Sequence, residues 1–67
     1  MNRIREYREN QSQKMTQEEL AEKAGISRAY LSTVETGSAA PTINVAKSIA
    51  KALGKTLDEV FPSDFEE

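Results

Sequence analysis

At 67 residues, 37% hydrophobic and 30% charged, the chain has room for one core and the composition of a folded globular domain rather than a disordered one. It contains no Cys and no His. That excludes disulfides and thiolate sites and removes the commonest metal ligand and general base, so neither a metal or other cofactor nor an enzyme is expected. The net charge of −2 hides an asymmetry: residues 1–55 hold all nine bases against six acids, giving +3, while residues 56–67 hold five acids and no base, giving −5. A partner responds to the face it touches, so the basic body can still meet phosphate. No apolar run approaches the roughly 18 residues that cross a bilayer, and Met1-Asn2-Arg3-Ile4-Arg5-Glu6 lacks the apolar stretch of a signal peptide. A cytoplasmic location without membrane contact is the expectation.

Gly25, Gly37, Pro41, Gly54 and Pro62 divide the chain into helical segments, and no stretch sustains the alternation of a strand, so the fold class is all-α. The first helix is expected over residues 3–10, with Ile4, Tyr7 and Gln11 on one face. Thr16 followed by Glu19 is a capping box that opens the second helix, which turns Leu20, Ala21 and Ala24 inward and closes at Gly25. Ser27 caps a third helix reaching Thr36, closed by Gly37. So few residues separate these two helices that they must cross steeply. Thr42 caps a fourth helix, in which Ile43, Ala46, Ile49, Ala50 and Leu53 recur at helical spacing up to Gly54. Thr56 and Glu59 form a second capping box for a short helix carrying Leu57, Val60 and Phe61. The division expected is one domain over residues 1–61 and an acidic tail over 62–67.

A helical wheel divides the third helix: Tyr30, Leu31 and Val34 face one way, and Arg28, Ala29, Ser32, Thr33 and Thr36 the other. Apart from Arg28 the second group is short, with no Glu/Lys ladder and no bulky apolar side chain. Such a face admits a partner closely, and the major groove of B-DNA is wide enough for one helix.

The run Gln17-Glu18-Glu19-Leu20-Ala21-Glu22-Lys23-Ala24-Gly25-Ile26-Ser27-Arg28-Ala29-Tyr30-Leu31-Ser32-Thr33-Val34-Glu35-Thr36-Gly37 resembles the helix-turn-helix of phage repressor/Cro-like (XRE-type) regulators. The likeness continues through Pro41-Thr42 and Ile49-Ala50-Lys51-Ala52-Leu53-Gly54 to Leu57-Asp58-Glu59-Val60-Phe61, covering about residues 3–61. It implies a five-helix, lambda repressor-like domain with its helix-turn-helix at about 17–36, the third helix entering the major groove and the start of the second lying on the sugar-phosphate backbone. Under that resemblance Gln17 touches phosphate or braces a base-reading side chain, and Arg28 reads guanine or clamps a phosphate. Ala29 and Thr33 meet thymine methyl groups, and Ser32 or Thr36 bonds a phosphate. Tyr30 packs in the core, its hydroxyl reaching a phosphate or not, and Lys14, Thr16 and Ser27 complete the candidate contacts. Arg8 and Glu35 occupy the places where relatives often carry a pair tying the first helix to the third. The link from Arg8 to Met15 is about two residues longer than the family pattern, and the loop Ser38-Ala39-Ala40 is neutral where relatives often carry bases.

One such module reads too few base pairs for specificity in a genome, so a homodimer on a palindromic site is expected. Leu57, Val60, Phe61 and Phe65 are the candidate seam, unless they close the monomer core instead. The function expected is a transcriptional regulator, most simply a repressor, binding double-stranded DNA. A DNA-binding antitoxin or restriction-modification controller, and a protein-interaction module without DNA, are the alternatives.

Overall fold

The computed structural model describes residues 2–11 and 14–62, and among these every regular element is helical: α1 (Ile4–Glu9), α2 (Gln17–Ala24), α3 (Arg28–Thr36), α4 (Ile43–Leu53) and α5 (Leu57–Val60). The fold is a small all-α, five-helix domain. Four of the five starts are written in the sequence. Thr16, Ser27, Thr42 and Thr56 adopt extended backbone and their side chains accept the N–H three residues on, which satisfies one of the donors a helix leaves orphaned at its start. At Thr16 and Thr56 the glutamate three residues on returns a bond to the cap's own N–H, at 3.0 and 2.9 Å.

The chain leaves α2 through Gly25, whose φ of 75° lies in the left-handed region. Its N–H donates to the Glu22 carbonyl at 3.2 Å and that of Ile26 to the Ala21 carbonyl at 3.0 Å, so two carbonyls that the helix abandons are satisfied while Ile26 packs against the core. Gly37 and Gly54 end α3 and α4 in the same manner. A Cβ at position 25 would meet nothing within 4 Å, so the demand for glycine is conformational and not steric. Gly25→Val is expected to destabilise the domain by about 2 kcal/mol through backbone strain alone. In urea denaturation the midpoint should fall at unchanged m, and a retained midpoint would contradict the assignment.

The core is one cluster, comprising Ile4, Met15, Leu20, Ala21, Leu31, Val34, Ala46, Ile49, Ala50, Leu53, Val60 and Phe61. Small Ala21, Ala46 and Ala50 let α2 and α4 approach closely, and α2 also carries α3. The start of the chain is tied to two helices: Arg3 N–H donates to the Val60 carbonyl of α5 at 2.8 Å, and the Asn2 side-chain amide donates to the Val34 carbonyl of α3 at 2.8 Å.

Two expectations need correction. α1 ends at Glu9 rather than Asn10, and Gln11 joins the apolar side through a polar contact, its Nε2 donating at 3.3 Å to the Leu53 carbonyl at the end of α4. Val60 and Phe61, offered as a seam between chains, are 0% and 1% exposed within one chain. The short link after Gly54 folds α5 back over α4, so both side chains close the monomer and present no surface to a twin. Leu57 remains half-buried and accessible, and Phe65 lies outside the described residues.

Both capping-box carboxylates are acidified. The Thr16 backbone N–H, then its hydroxyl, hold Glu19 below its ordinary 4.5, against a small opposing effect of desolvation and with help from Lys23. Thr56 acts on Glu59 in the same way, with Lys55 helping. A pKa depressed on folding contributes stability that is present above the unfolded value and lost as pH falls through the folded one. The thermal midpoint should therefore decline as pH drops below about 4.5, and Glu19→Gln/Glu59→Gln should flatten that decline. An identical acid profile in the variant would show that the boxes do not carry it.

Candidate nucleic-acid interface

α3 is held from beneath and left bare above. Leu31 and Val34 are wholly buried, and Tyr30, half-buried, packs its ring against the same core. On the opposite side Arg28, Ala29, Thr33 and Thr36 are exposed and Ser32 is half-exposed, the division that the helical wheel anticipates. No part of the described chain covers this stripe. Arg28 has neither an ion pair nor a hydrogen bond among the described residues, so its five N–H donors are available to a ligand.

The hydroxyls of the stripe are partly committed. Thr33 Oγ1 donates to the Tyr30 carbonyl at 2.7 Å, and Thr36 Oγ1 to the Ser32 carbonyl at 3.0 Å, with Ser38 Oγ 3.1 Å from Thr36 Oγ1. Back-bonding of this kind uses the hydroxyl hydrogen and leaves the oxygen lone pairs and the methyl group to meet a partner. Thr33 and Thr36 are thus better suited to accept from a base amino group, or to touch a methyl, than to donate to phosphate.

α1, α2 and α3 converge on one carboxylate. Glu35 accepts from Arg8 Nε at 3.2 Å on one oxygen and from Arg8 Nη2 at 3.0 Å on the other, a two-pronged geometry suited to guanidinium. Gln17 Nε2 donates to the second oxygen at 3.2 Å. Arg8 Nη1 continues to the Met15 carbonyl at 3.0 Å, and the Met15 N–H returns to the Arg8 carbonyl at 3.1 Å. The longer link after α1 is clasped at both ends by that residue pair. The side chains of Arg8 and Glu35 are 12% and 8% exposed, so the pair sits largely out of water. It ties α1 and the start of α2 to α3 through one side chain. The sequence shows Arg8, Gln17 and Glu35 as candidates but gives no sign of the Met15 carbonyl, because a backbone acceptor has no residue type to betray it.

Gln17 consequently has one amide hydrogen engaged and one free, and it shares a shallow recess with Thr16, Glu18, Glu19 and Arg28. Thr16 and Ser27 are exposed at the starts of α2 and α3, each with its side-chain oxygen occupied by its cap. Lys14 is exposed. Glu18 and Glu19 are exposed beside Arg28; they suit the positive end of the α2 dipole and would oppose a phosphate placed there. Among the described residues no cluster of acids fit to hold a metal is present, and no helix is long and apolar enough to cross a membrane.

Residues 4–60 match the family model described as helix-turn-helix. An uncharacterised HTH-type transcriptional regulator of Archaeoglobus fulgidus is 38% identical over 65 residues, 97% of this chain and 90% of its own length. One from Methanothermobacter thermautotrophicus is 39% identical over 62 residues, covering 91% and 87%, and one from Methanocaldococcus jannaschii is 35% identical over 60, covering 90% and 88%. With a turn closed by a left-handed Gly25, a third helix seated on Leu31 and Val34, and a family match over nearly its whole described length, the chain belongs to the XRE-type helix-turn-helix family.

Proposed function

We propose that this protein is a cytoplasmic DNA-binding regulator of transcription, acting as a repressor, that lays α3 in the major groove of a palindromic operator as a homodimer. The observation that carries the reading is the bare stripe of α3, exposed and led by an Arg28 without a partner among the described residues. Arg28 reads guanine through two parallel bonds, with Ala29, Ser32 and Thr33 against neighbouring base edges. Gln17, Lys14 and the hydroxyls of Thr16 and Ser27 meet the backbone, Thr36 accepts from a base amino group, and the Tyr30 hydroxyl lies at the margin. The relatives' description as HTH-type transcriptional regulators supports the same reading.

Few bases surround the stripe, and Ser38, Ala39 and Ala40 add none. Affinity should therefore depend only weakly on salt, each neutralised phosphate contributing about 0.9 to the slope of log K against log salt. With Val60 and Phe61 committed to the core, the dimer seam falls to what remains accessible: half-buried Leu57 and Ile43, the latter 47% exposed just after the loop that leaves α3. One observation favours a protein-interaction module instead, the exposed Glu18 and Glu19 bordering Arg28.

Arg28→Ala separates these readings. It is expected to weaken binding to the cognate duplex by about 1–3 kcal/mol while leaving non-specific duplex and the thermal midpoint little changed. An equal loss on every sequence would make Arg28 a phosphate contact, and no loss on any would overturn the interface.

A further inference from the structure

A second basic feature lies away from the stripe of α3. The last turns of α2 and α4 meet α1 around an open groove that bears Lys23, Lys51 and Lys55, with Tyr7, Met15 and Leu53 among its apolar lining. All three lysines are exposed, none is in an ion pair among the described residues, and no carboxylate lines the groove. Lysines in the last turn of a helix suit its negative end, which accounts for Lys23 and Lys51. Lys55 lies past the end of α4, and its ammonium, though exposed, stands 5.0 Å from the centroid of the Tyr7 ring, which holds the charge beside the groove.

We propose that this groove is the docking site of the chain's own segment 63–67, Ser63-Asp64-Phe65-Glu66-Glu67, which lies outside the described residues. The charges are complementary: Asp64, Glu66 and Glu67 are three acids for three lysines, and Phe65 is the one apolar side chain of the segment, matching half-buried Tyr7. The reach is sufficient. The chain leaves α5 beside the start of α1, where the Val60 carbonyl accepts from the Arg3 N–H, and Tyr7 lies four residues further along α1, about 6 Å at 1.5 Å per residue. Five residues doubling back span about 17 Å when extended. The seat also gives a place to the charge asymmetry, because it neutralises a basic face away from α3 and keeps the acids of the segment from a phosphate backbone at α3.

The test is nuclear magnetic resonance on the full 67-residue chain at low salt, reading contacts from the Phe65 ring. The expected result is contacts to Tyr7 and Ala52 that do not change on dilution and that vanish in Lys51→Glu/Lys55→Glu, with helicity and thermal midpoint retained. Lys51→Gln/Lys55→Gln, which removes charge without reversing it, should weaken the same contacts. Three results would overturn the proposal: no contacts in the unaltered chain, contacts indifferent to both double variants, or contacts that fade on dilution and so belong to the segment of a second copy.

Discussion

Phe61→Ala should leave most of the protein unfolded at room temperature. The ring is 1% exposed and is among the largest fully buried side chains of the domain, so its removal forfeits burial and leaves a cavity, together about 3–5 kcal/mol. A domain of 67 residues has a total stability of only several kcal/mol, at roughly 0.05–0.15 kcal/mol per residue. Circular dichroism and urea titration measure the loss. A folded variant that merely sedimented as a lighter species would instead restore Phe61 to a seam between chains and contradict its burial in one.

The second large effect concerns the carboxylate shared by three helices. Glu35→Ala strands the Arg8 guanidinium with only the Met15 carbonyl, in a place where its side chain is 12% exposed, and Gln17 loses its partner too. A largely buried charge left without its counter-ion is expected to destabilise by about 3–5 kcal/mol, and Arg8→Ala should do similar harm from the other side. The double replacement Arg8→Met/Glu35→Leu is expected to recover much of that loss, since desolvating an ion pair already offsets most of its attraction. If the pair serves to set the pitch of α3, the double variant should remain folded yet bind DNA less tightly. Unaltered DNA affinity in a folded double variant would mean that the pair does not set the pitch of α3.

The starts and stops of the helices are legible from single residues because the chemistry is local: a hydroxyl within reach of an N–H three positions on at Thr16, Ser27, Thr42 and Thr56, and a left-handed residue at Gly25, Gly37 and Gly54. The face of α3 is legible as well, since Leu31 and Val34 can turn inward only if Arg28, Ala29 and Thr33 turn out. What escapes a linear reading depends on contacts between distant residues. Nothing near Gln11 announces the Leu53 carbonyl 42 positions on, and nothing in Leu57–Val60 tells whether its apolar side meets α4 or another chain. A short apolar helix has the same pattern in either case, and only the return of the chain over α4, fixed by the bond from Arg3 to Val60, decides it. At the candidate site the identity of Arg28 is visible, but the commitment of the Thr33 and Thr36 hydroxyls to their own helix is a matter of rotamer.

Groove reading by α3 is tested most directly by selection of bound duplexes from a random pool by the purified chain at modest salt. An inverted repeat with guanine at matching positions of each half should be enriched, and the preference for that guanine should be lost when the pool is offered to Arg28→Ala. A pool that stays random, or a winning sequence indifferent to Arg28, would contradict groove reading.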